Sequence, residues 1–156
     1  MRIRLIAAGT RLPAWIGAGF AEYARRMPPE APLELVQIPL ERGSAQGARL
    51  RAMRREGERM LAQLHPSQWV VALDVHGRMH DTAGLARWWA GRLRDGRDVA
   101  LLIGGPDGLA PECLARADER LSLSPLTLPH GLVRVVVAEQ LYRIQSLLKG
   151  HPYHRE

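Results

Sequence analysis

The sequence predicts an α/β fold in three layers, with helices on both faces of a mostly parallel sheet of five to six strands. Short apolar runs typical of strands alternate along the chain with longer segments whose apolar residues recur at helical spacing. Two of these runs, residues 69–75 and 98–103, are almost continuously apolar, as expected of central parallel strands covered on both faces. At a length of 156 residues, one domain covering residues 1–156 is expected.

The strands and helices are expected to alternate five times, beginning with a strand. Strands are predicted at residues 2–8, 33–38, 69–75, 98–103 and, together with a following loop, 121–128. Helices are predicted to open at Pro13, Ala48, Thr82, Pro111 and Leu132, the second running to Leu64 and the last to Leu148. The polar segment 41–47 between the second strand and the second helix is predicted to be a loop.

The outer face of the second predicted helix is rich in arginine. Its charged residues are Arg49, Arg51, Arg54, Arg55, Glu56, Glu58 and Arg59. Two interpretations stay open: a face that is only solvated, and a surface that follows the phosphates of a nucleic acid. The net charge of +6 favours a polyanionic partner in general, with nucleic acid the leading candidate.

Cysteine content and hydropathy exclude several classes of protein. Cys113 is the single cysteine, so an intrachain disulfide is impossible, and a packed structural thiol is expected there. No apolar run approaches the ~18 residues of a membrane span. The apolar stretch at the start is too short for a signal peptide and is interpreted as the first strand. We therefore expect a cytoplasmic protein with no membrane partner.

Ligands on parallel sheets bind beyond the carboxyl ends of the strands. The strand ends where a ligand is expected are Leu73-Asp74, Gly104-Gly105 and residues 123–128. The segment Gly104-Gly-Pro-Asp-Gly108 is neither the dinucleotide fingerprint nor a Walker loop. It either lets a ligand approach the backbone closely or makes a tight turn from strand to helix, and both interpretations stay open.

Metal and serine-hydrolase sites are not expected. His76 and His80 are four residues apart, but Gly77 lies between them and no third ligand follows at a fitting distance. Ser122 and Ser124 lie outside any Gly-x-Ser-x-Gly elbow.

The last predicted helix is apolar on nearly every side of its first half, between Leu132 and Ala138. A helix that is apolar all round is buried all round, and a second copy of the chain is the simplest cover, so a homodimer is expected. Glu139 and Arg143 are spaced for a local ion pair. The polar tail, residues 151–156, carries many functional side chains for a terminus.

The chain resembles the ribosomal RNA large-subunit methyltransferase H family of the SPOUT superfamily, essentially from end to end. Its carboxy-terminal motifs carry the resemblance most specifically, among them Leu121-Ser-Leu-Ser, Thr127-Leu-Pro-His130 and His151-Pro-Tyr-His-Arg-Glu156. Further matching stretches lie at residues 7–10, 15–23, 56–58, 73–74, 96–98, 102–109, 132–134, 138–139 and 141–143. The chain departs from the family's pattern at residues 37–47 and 76–80.

The resemblance implies an activity and a topology. The activity is transfer of a methyl group from S-adenosylmethionine to N3 of a pseudouridine in the 23S rRNA of the assembled ribosome. The topology is a homodimer whose chains each end in a trefoil knot, which pattern alone would not suggest. The residues implied to bind the cofactor are Leu73, Gly104, Gly105, Leu123, Ser124, Pro125, Leu126, Thr127 and Leu128. The implied catalytic residues are His130, Arg143, Tyr153 and His154, joined by Arg155, with the tail of one subunit reaching the other's pocket.

The chemistry of the residues agrees with this reaction. Methylation at N3 requires alignment of two reactants, removal of one proton and neutralisation of imide oxygens. His130 or His154 could take the proton, Arg143 could face the oxygens or a phosphate, and Tyr153 could stack on the base. The alternatives are a non-catalytic basic factor that binds RNA or the ribosome, and a nucleotide-binding enzyme of ordinary doubly wound topology, which the lack of a phosphate loop disfavours.

Overall fold

The computed structural model describes residues 1–41 and 45–155, and their strands form one parallel sheet in the order β2-β1-β4-β3-β5. The strands are β1 (Ile3–Ala8), β2 (Leu33–Ile38), β3 (Trp69–Met79), β4 (Val99–Ile103) and β5 (Glu119–Ser122). Each of the four neighbouring pairs is parallel. The predicted α/β fold with a parallel sheet is therefore confirmed, while the trefoil knot stays a prediction.

Helices cover both faces of the sheet. They are α1 (Ala14–Ala24), α2 (Gln46–Ala62), α3 (Thr82–Asp95), α4 (Pro111–Arg116) and α5 (His130–Leu148), followed by a 3₁₀ turn at Pro152–Arg155. On one face α5 packs between α1 and α3, and on the other α2 packs against α4. Within the described ranges, no helix combines the length and apolarity needed to cross a membrane.

Several boundaries differ from the prediction. Strand β3 runs on to Met79, resuming its pairing with β5 at Arg78 after an interruption that starts at Leu73. Strand β5 runs over Glu119–Ser122, so it begins two residues before the predicted segment of strand and loop at 121–128. Helix α5 begins at His130, two residues before the predicted Leu132 and directly after Pro129 at its N-cap.

Residues 123–128 form the loop that was expected to follow the last strand, and serine side chains bond its backbone locally. The hydroxyl of Ser122 donates to the carbonyl oxygen of Ser124 at 3.1 Å. The hydroxyl oxygen of Ser124 accepts the N–H of Leu126 at 2.9 Å. Such bonds offer the backbone an alternative to a sheet ladder. Of the predicted loop at 41–47, Glu41 is irregular, residues 42–44 lie outside the described residues, and α2 already begins at Gln46.

One polar contact joins two helices inside the core. Trp89 of α3 is fully buried, and its indole Nε1–H donates to Oε1 of Gln145 on α5 at 2.8 Å. Both polar atoms are thereby satisfied, which avoids the penalty for an unpaired buried group. The contact fixes the position of α5 along its axis relative to α3.

On the opposite face, α2 and α4 meet at a glycine. A Cβ at Gly57 would lie 2.6 Å from the Cβ of Ala110, so the helices approach more closely than an alanine would allow. The Sγ–H of Cys113 donates to the carbonyl oxygen of Gly57 at 3.6 Å. Cys113 is fully buried, and burial raises the pKa of its thiol to about 11. The expected packed structural thiol is confirmed.

We predict that Gly57→Ala lowers the free energy of unfolding by about 1–3 kcal/mol, because the added methyl group overpacks the contact with Ala110. The matched control is Gly91→Ala in the middle of α3, where an added Cβ meets nothing within 4 Å. That change should stabilise the protein by up to ~1 kcal/mol through helix propensity. Chemical denaturation measures the free energy of unfolding of both variants. Changes of the same sign and size in Gly57→Ala and Gly91→Ala would contradict the close approach at Gly57.

Candidate functional site

A cavity of about 370 Å³ opens at the carboxyl ends of β3, β4 and β5. Its volume lies in the ~300–1,000 Å³ range of small-molecule sites. Three stretches converge on it. Its lining residues are Leu73, Asp74, Val75, His76, Ile103, Gly104, Gly105, Asp107, Gly108, Leu109, Leu114, Leu121, Ser122, Leu123, Ser124, Leu126, Leu128, His130 and Val133. The strand ends singled out in the sequence therefore lie together.

The glycine loop after β4 forms one wall. A Cβ at Gly104 would lie 2.4 Å from the backbone carbon of Gly108, so the loop folds back on itself at a distance that only glycine permits. The N–H of Gly108 donates to the carbonyl oxygen of Gly105 at 2.9 Å, and Gly108 has a φ of +85°. Of the two interpretations of this segment, the tight turn is observed, and the turn presents its backbone to the cavity.

The loop after β5 forms the opposite wall. Of the residues expected here, Leu123, Ser124, Leu126 and Leu128 line the cavity, whereas Pro125 and Thr127 are not among its lining residues. Leu126 is 71% exposed, which leaves a large apolar side chain uncovered beside the cavity. Irregular backbone between leucines offers both hydrogen-bonding groups and apolar surface to a ligand.

A buried arginine holds the start of α5 beside this cavity. Arg134 is only 2% exposed, and its Nη2 donates to the carbonyl oxygens of Gly9 at 2.7 Å and Ala8 at 3.1 Å. Its Nη1 lies 3.3 Å from the side-chain oxygen of Gln37. One helical turn earlier, His130 lines the cavity. The guanidinium therefore ties this histidine to the ends of β1 and β2.

His130 is placed to act as a neutral imidazole. Burial and, next, the positive charge of Arg134 lower the pKa of its side chain from the ordinary value of 6.5. Its Nε2 is buried and has no hydrogen-bond partner among residues 1–41 and 45–155. That nitrogen lies 3.6 Å from the Cβ position of Gly9, so it faces the end of β1, and the residue as a whole lines the cavity.

The other three catalytic candidates lie at the far end of α5. Arg143 follows His130 by thirteen residues, about 20 Å along the helix. Its guanidinium pairs with Glu139 through Nη2 at 2.8 Å, as the spacing predicted, and lies over the ring of Tyr153 at 5.0 Å. The hydroxyl of Tyr153 donates to Glu139 at 3.0 Å, and its ring packs edge-on against Tyr142.

The tail thus folds onto α5 of its own chain. Burial, followed by hydrogen bonds with Tyr23 and Glu139, raises the pKa of Tyr153 above its usual range, so this phenol stays protonated. Nδ1 of His154 is buried and lacks a partner within the described part of the chain. The cavity brings together His130 and most of the expected cofactor residues, and it does not include Arg143, Tyr153 or His154 of the same chain.

Sequence reasoning missed several residues of the site. Val133 lies one helical turn after His130 and lines the cavity, a position that helical periodicity could have assigned. An arginine is normally expected at the surface, and the residues next to Arg134 in the sequence do not indicate that its side chain is buried. In the part of the chain that the structure describes, no group of three or more His, Cys, Asp or Glu side chains is arranged to hold a metal ion.

Comparison with known proteins places the chain among methyltransferases. The family described as "Predicted SPOUT methyltransferase" matches residues 1–154. A protein of Alkalilimnicola ehrlichii named ribosomal RNA large subunit methyltransferase H is 60% identical over 155 residues, covering 99% of both chains. The protein of that name from Pseudomonas aeruginosa is 52% identical, covering 99% of this chain and all of its own.

Solved structures agree on the fold. A methylase-family protein from Haemophilus influenzae has a TM-score of 0.57 at 12% identity, covering 97% of this chain and 69% of its own. A methyltransferase from Legionella pneumophila, solved with its cofactor S-adenosylmethionine, has a TM-score of 0.51 at 12% identity, covering 93% and 66%. The resemblance noted in the sequence is confirmed. The chain belongs to the SPOUT methyltransferase family, and within it to the group of ribosomal RNA large subunit methyltransferase H.

Proposed function

We propose that the protein methylates N3 of a pseudouridine in the 23S rRNA of the assembled ribosome, with S-adenosylmethionine as the methyl donor. The observation that carries this proposal is 60% identity, over 99% of both chains, with a relative named for methylation of large-subunit rRNA. The cavity at the strand ends gives the reaction a place, and one domain spanning the chain would perform it.

The cavity fits the cofactor in size and chemistry. Leucines at positions 73, 123, 126 and 128 offer apolar surface to an adenine ring, and the backbone of Gly104-Gly105 and of the loop after β5 offers hydrogen-bonding groups. When bound, S-adenosylmethionine supplies an electrophilic methyl group on a sulfonium. A side chain larger than hydrogen at Gly104 would collide with the loop itself, so the turn keeps this wall thin.

His130 is the group best placed to accept the proton from N3. A uracil N3–H lies between two carbonyl groups and is weakly acidic, so a neutral imidazole is a competent base. His130 lines the cavity, and its lowered pKa keeps the ring neutral near pH 7. Its Nε2 has no hydrogen-bond partner within the described part of the chain. His154 is the second candidate for this role.

A second subunit would complete the site. Tyr153 contacts Glu139 and Arg143, about 14–20 Å along α5 from His130. Arg143, Tyr153 and His154 would therefore reach a cavity from another copy. The side chains of Leu132, Val133, Val135 and Val136 on α5 are only partly buried, and Trp15 on α1 is 59% exposed. Apolar surface of this kind favours a two-fold homodimer. There Arg143 would face imide oxygens or a phosphate, and Tyr153 would stack on the base.

Deletion of the gene is predicted to remove one N3-methylpseudouridine from 23S rRNA. Mass spectrometry of nucleosides from a nuclease digest measures this loss, and a plasmid copy of the gene should restore the modification. Other methylated nucleosides serve as the internal control and should stay constant. An unchanged profile of modified nucleosides in 23S rRNA would refute the proposed substrate. We expect the protein to act in the cytoplasm, where ribosomes assemble.

Gly104→Ala is predicted to weaken S-adenosylmethionine binding by at least ~10-fold, about 1.4 kcal/mol, because its Cβ would push the Gly108 backbone out of place. Calorimetric titration gives the dissociation constant. Gly91→Ala serves as the control and should bind normally, since its Cβ meets nothing within 4 Å. Thermal unfolding confirms that both variants fold. An unchanged affinity in folded Gly104→Ala would exclude this loop from the cofactor site.

His130→Ala, Arg143→Ala and His154→Ala are each predicted to lower the methylation rate by at least ~10²-fold, as expected on loss of an acid–base or charge-stabilising group. Dimers that combine a His130→Ala subunit with a His154→Ala subunit should recover activity, because one of their two sites then keeps both histidines. Purification through two different affinity tags isolates them. Mixed dimers as inactive as their parents, or fully active single variants, would contradict a site shared between subunits.

A further inference from the structure

The first half of α2 projects beyond the carboxyl edge of the sheet. The end of α2 lies at the opposite edge, where Nη1 of Arg4 in β1 donates to the carbonyl oxygen of Gln63 at 2.5 Å. The middle of α2 is level with the carboxyl edge, because Oε2 of Glu56 accepts the N–H of Glu41 at 3.1 Å, just after β2. Oε1 of Glu56 lies 3.4 Å from the Cβ position of Gly105, just after β4.

The ten residues of α2 that come before Glu56 therefore lie beyond the carboxyl edge of the sheet. At 1.5 Å per residue, residues 46–55 extend about 15 Å past the strand ends. We refer to residues 46–55 as the arm. The arm leaves the sheet at the same edge as the cavity. Arg49 of the arm lines a smaller cleft together with Pro106 and Asp107, and Asp107 also lines the large cavity.

The arm carries positive charge without acidic residues. Its sequence contains Arg49, Arg51, Arg54 and Arg55 and no Asp or Glu. Arg51, Arg54 and Arg55 are spaced i, i+3 and i+4, so they share the outer face, and all three are exposed. Ala52, about 100° around the helix from Arg51, is buried. Like charges at this spacing destabilise a helix, and a bound anion would relieve the repulsion.

Protein carboxylates neutralise these arginines only weakly. Arg55 lies 3.8 Å from Glu41 and Arg54 lies 4.0 Å from Glu112, and both arginines are more than 60% exposed. Exposed pairs at such distances contribute little. Exposed and weakly paired guanidinium groups remain available to phosphate oxygens, which they bind through two parallel hydrogen bonds.

We propose that the arm binds the phosphate backbone of the rRNA next to the nucleotide that enters the cavity. This inference rests on the proposed function and adds a contact surface to it. The arm lies at the carboxyl edge, adjoins the cavity through the glycine loop, and presents three arginines to solvent on one face. An RNA strand that delivers a base to the cavity would pass along this face.

The variant Arg51→Gln/Arg54→Gln removes two charges from the arm and keeps the helix intact. The control, Arg2→Gln/Arg94→Gln, removes two exposed arginines at the opposite edge of the sheet, before β1 and in the last turn of α3. Steady-state methylation is measured with ribosomes from a strain that lacks the gene, at several KCl concentrations. Binding of S-adenosylmethionine is titrated in parallel.

We expect the arm variant to raise the KM for ribosomes at least ~10-fold while kcat and cofactor affinity stay unchanged. The slope of log(kcat/KM) against log[KCl] should become shallower by roughly one to two, since each lost phosphate contact removes ~0.7–0.9. The control variant should match the unmodified protein in every quantity.

Other results would overturn the proposal. An unchanged KM in the arm variant would show that the arm does not contact the ribosome. A raised KM with an unchanged salt slope would point to a ribosomal protein as the partner, and equal effects in both variants would reflect net charge alone. If the unmodified protein methylates no ribosome, the proposed function is refuted. The proposal for the arm is then tested by sedimentation with ribosomes, and it is refuted as well if Arg51→Gln/Arg54→Gln leaves ribosome binding unchanged.

Discussion

The site depends on a buried cation that lacks a carboxylate among its described contacts. Arg134 lies almost completely inside the protein and bonds the carbonyl oxygens of Ala8 and Gly9 at the end of β1. Desolvation of a guanidinium is costly, so these bonds must hold the group in one geometry. The same charge helps to lower the pKa of His130. One side chain therefore positions the first turn of α5 and, after burial, contributes to the lowered pKa of the histidine at the cavity.

Close backbone contacts at glycine arrange the surroundings of the cavity. Gly104 lets its loop fold back on Gly108, and Gly57 lets α2 approach Ala110 at the start of α4. Both contacts lie along the carboxyl edge of β4. The glycine loop after β4, α4 and the arm are consequently packed as one unit, which in the proposed function would place the bound cofactor and the rRNA backbone at a fixed distance.

Residue pattern was sufficient for the layers of this fold, because buried parallel strands and amphipathic helices have distinct apolar periods. It was less exact at the start of β5, which lies at Glu119 and not at Leu121. Pattern picked out the strand ends that line the cavity, but it did not single out Arg134. Burial of that side chain follows from the contact between α5 and β1, two segments far apart in sequence. The separation between His130 and the tail likewise emerges from α5, which runs without a break from His130 to Leu148.

The central claim is that the three strand ends form the cofactor site and that a partner's tail completes it. A crystal structure of the protein grown with S-adenosylmethionine tests this most directly. We predict cofactor density between the Gly104-Gly105 turn and the loop after β5, with His154 and Tyr153 of a second copy facing the same cavity as His130. Cofactor bound elsewhere, or tails that stay on their own helices away from every cavity, would contradict the account.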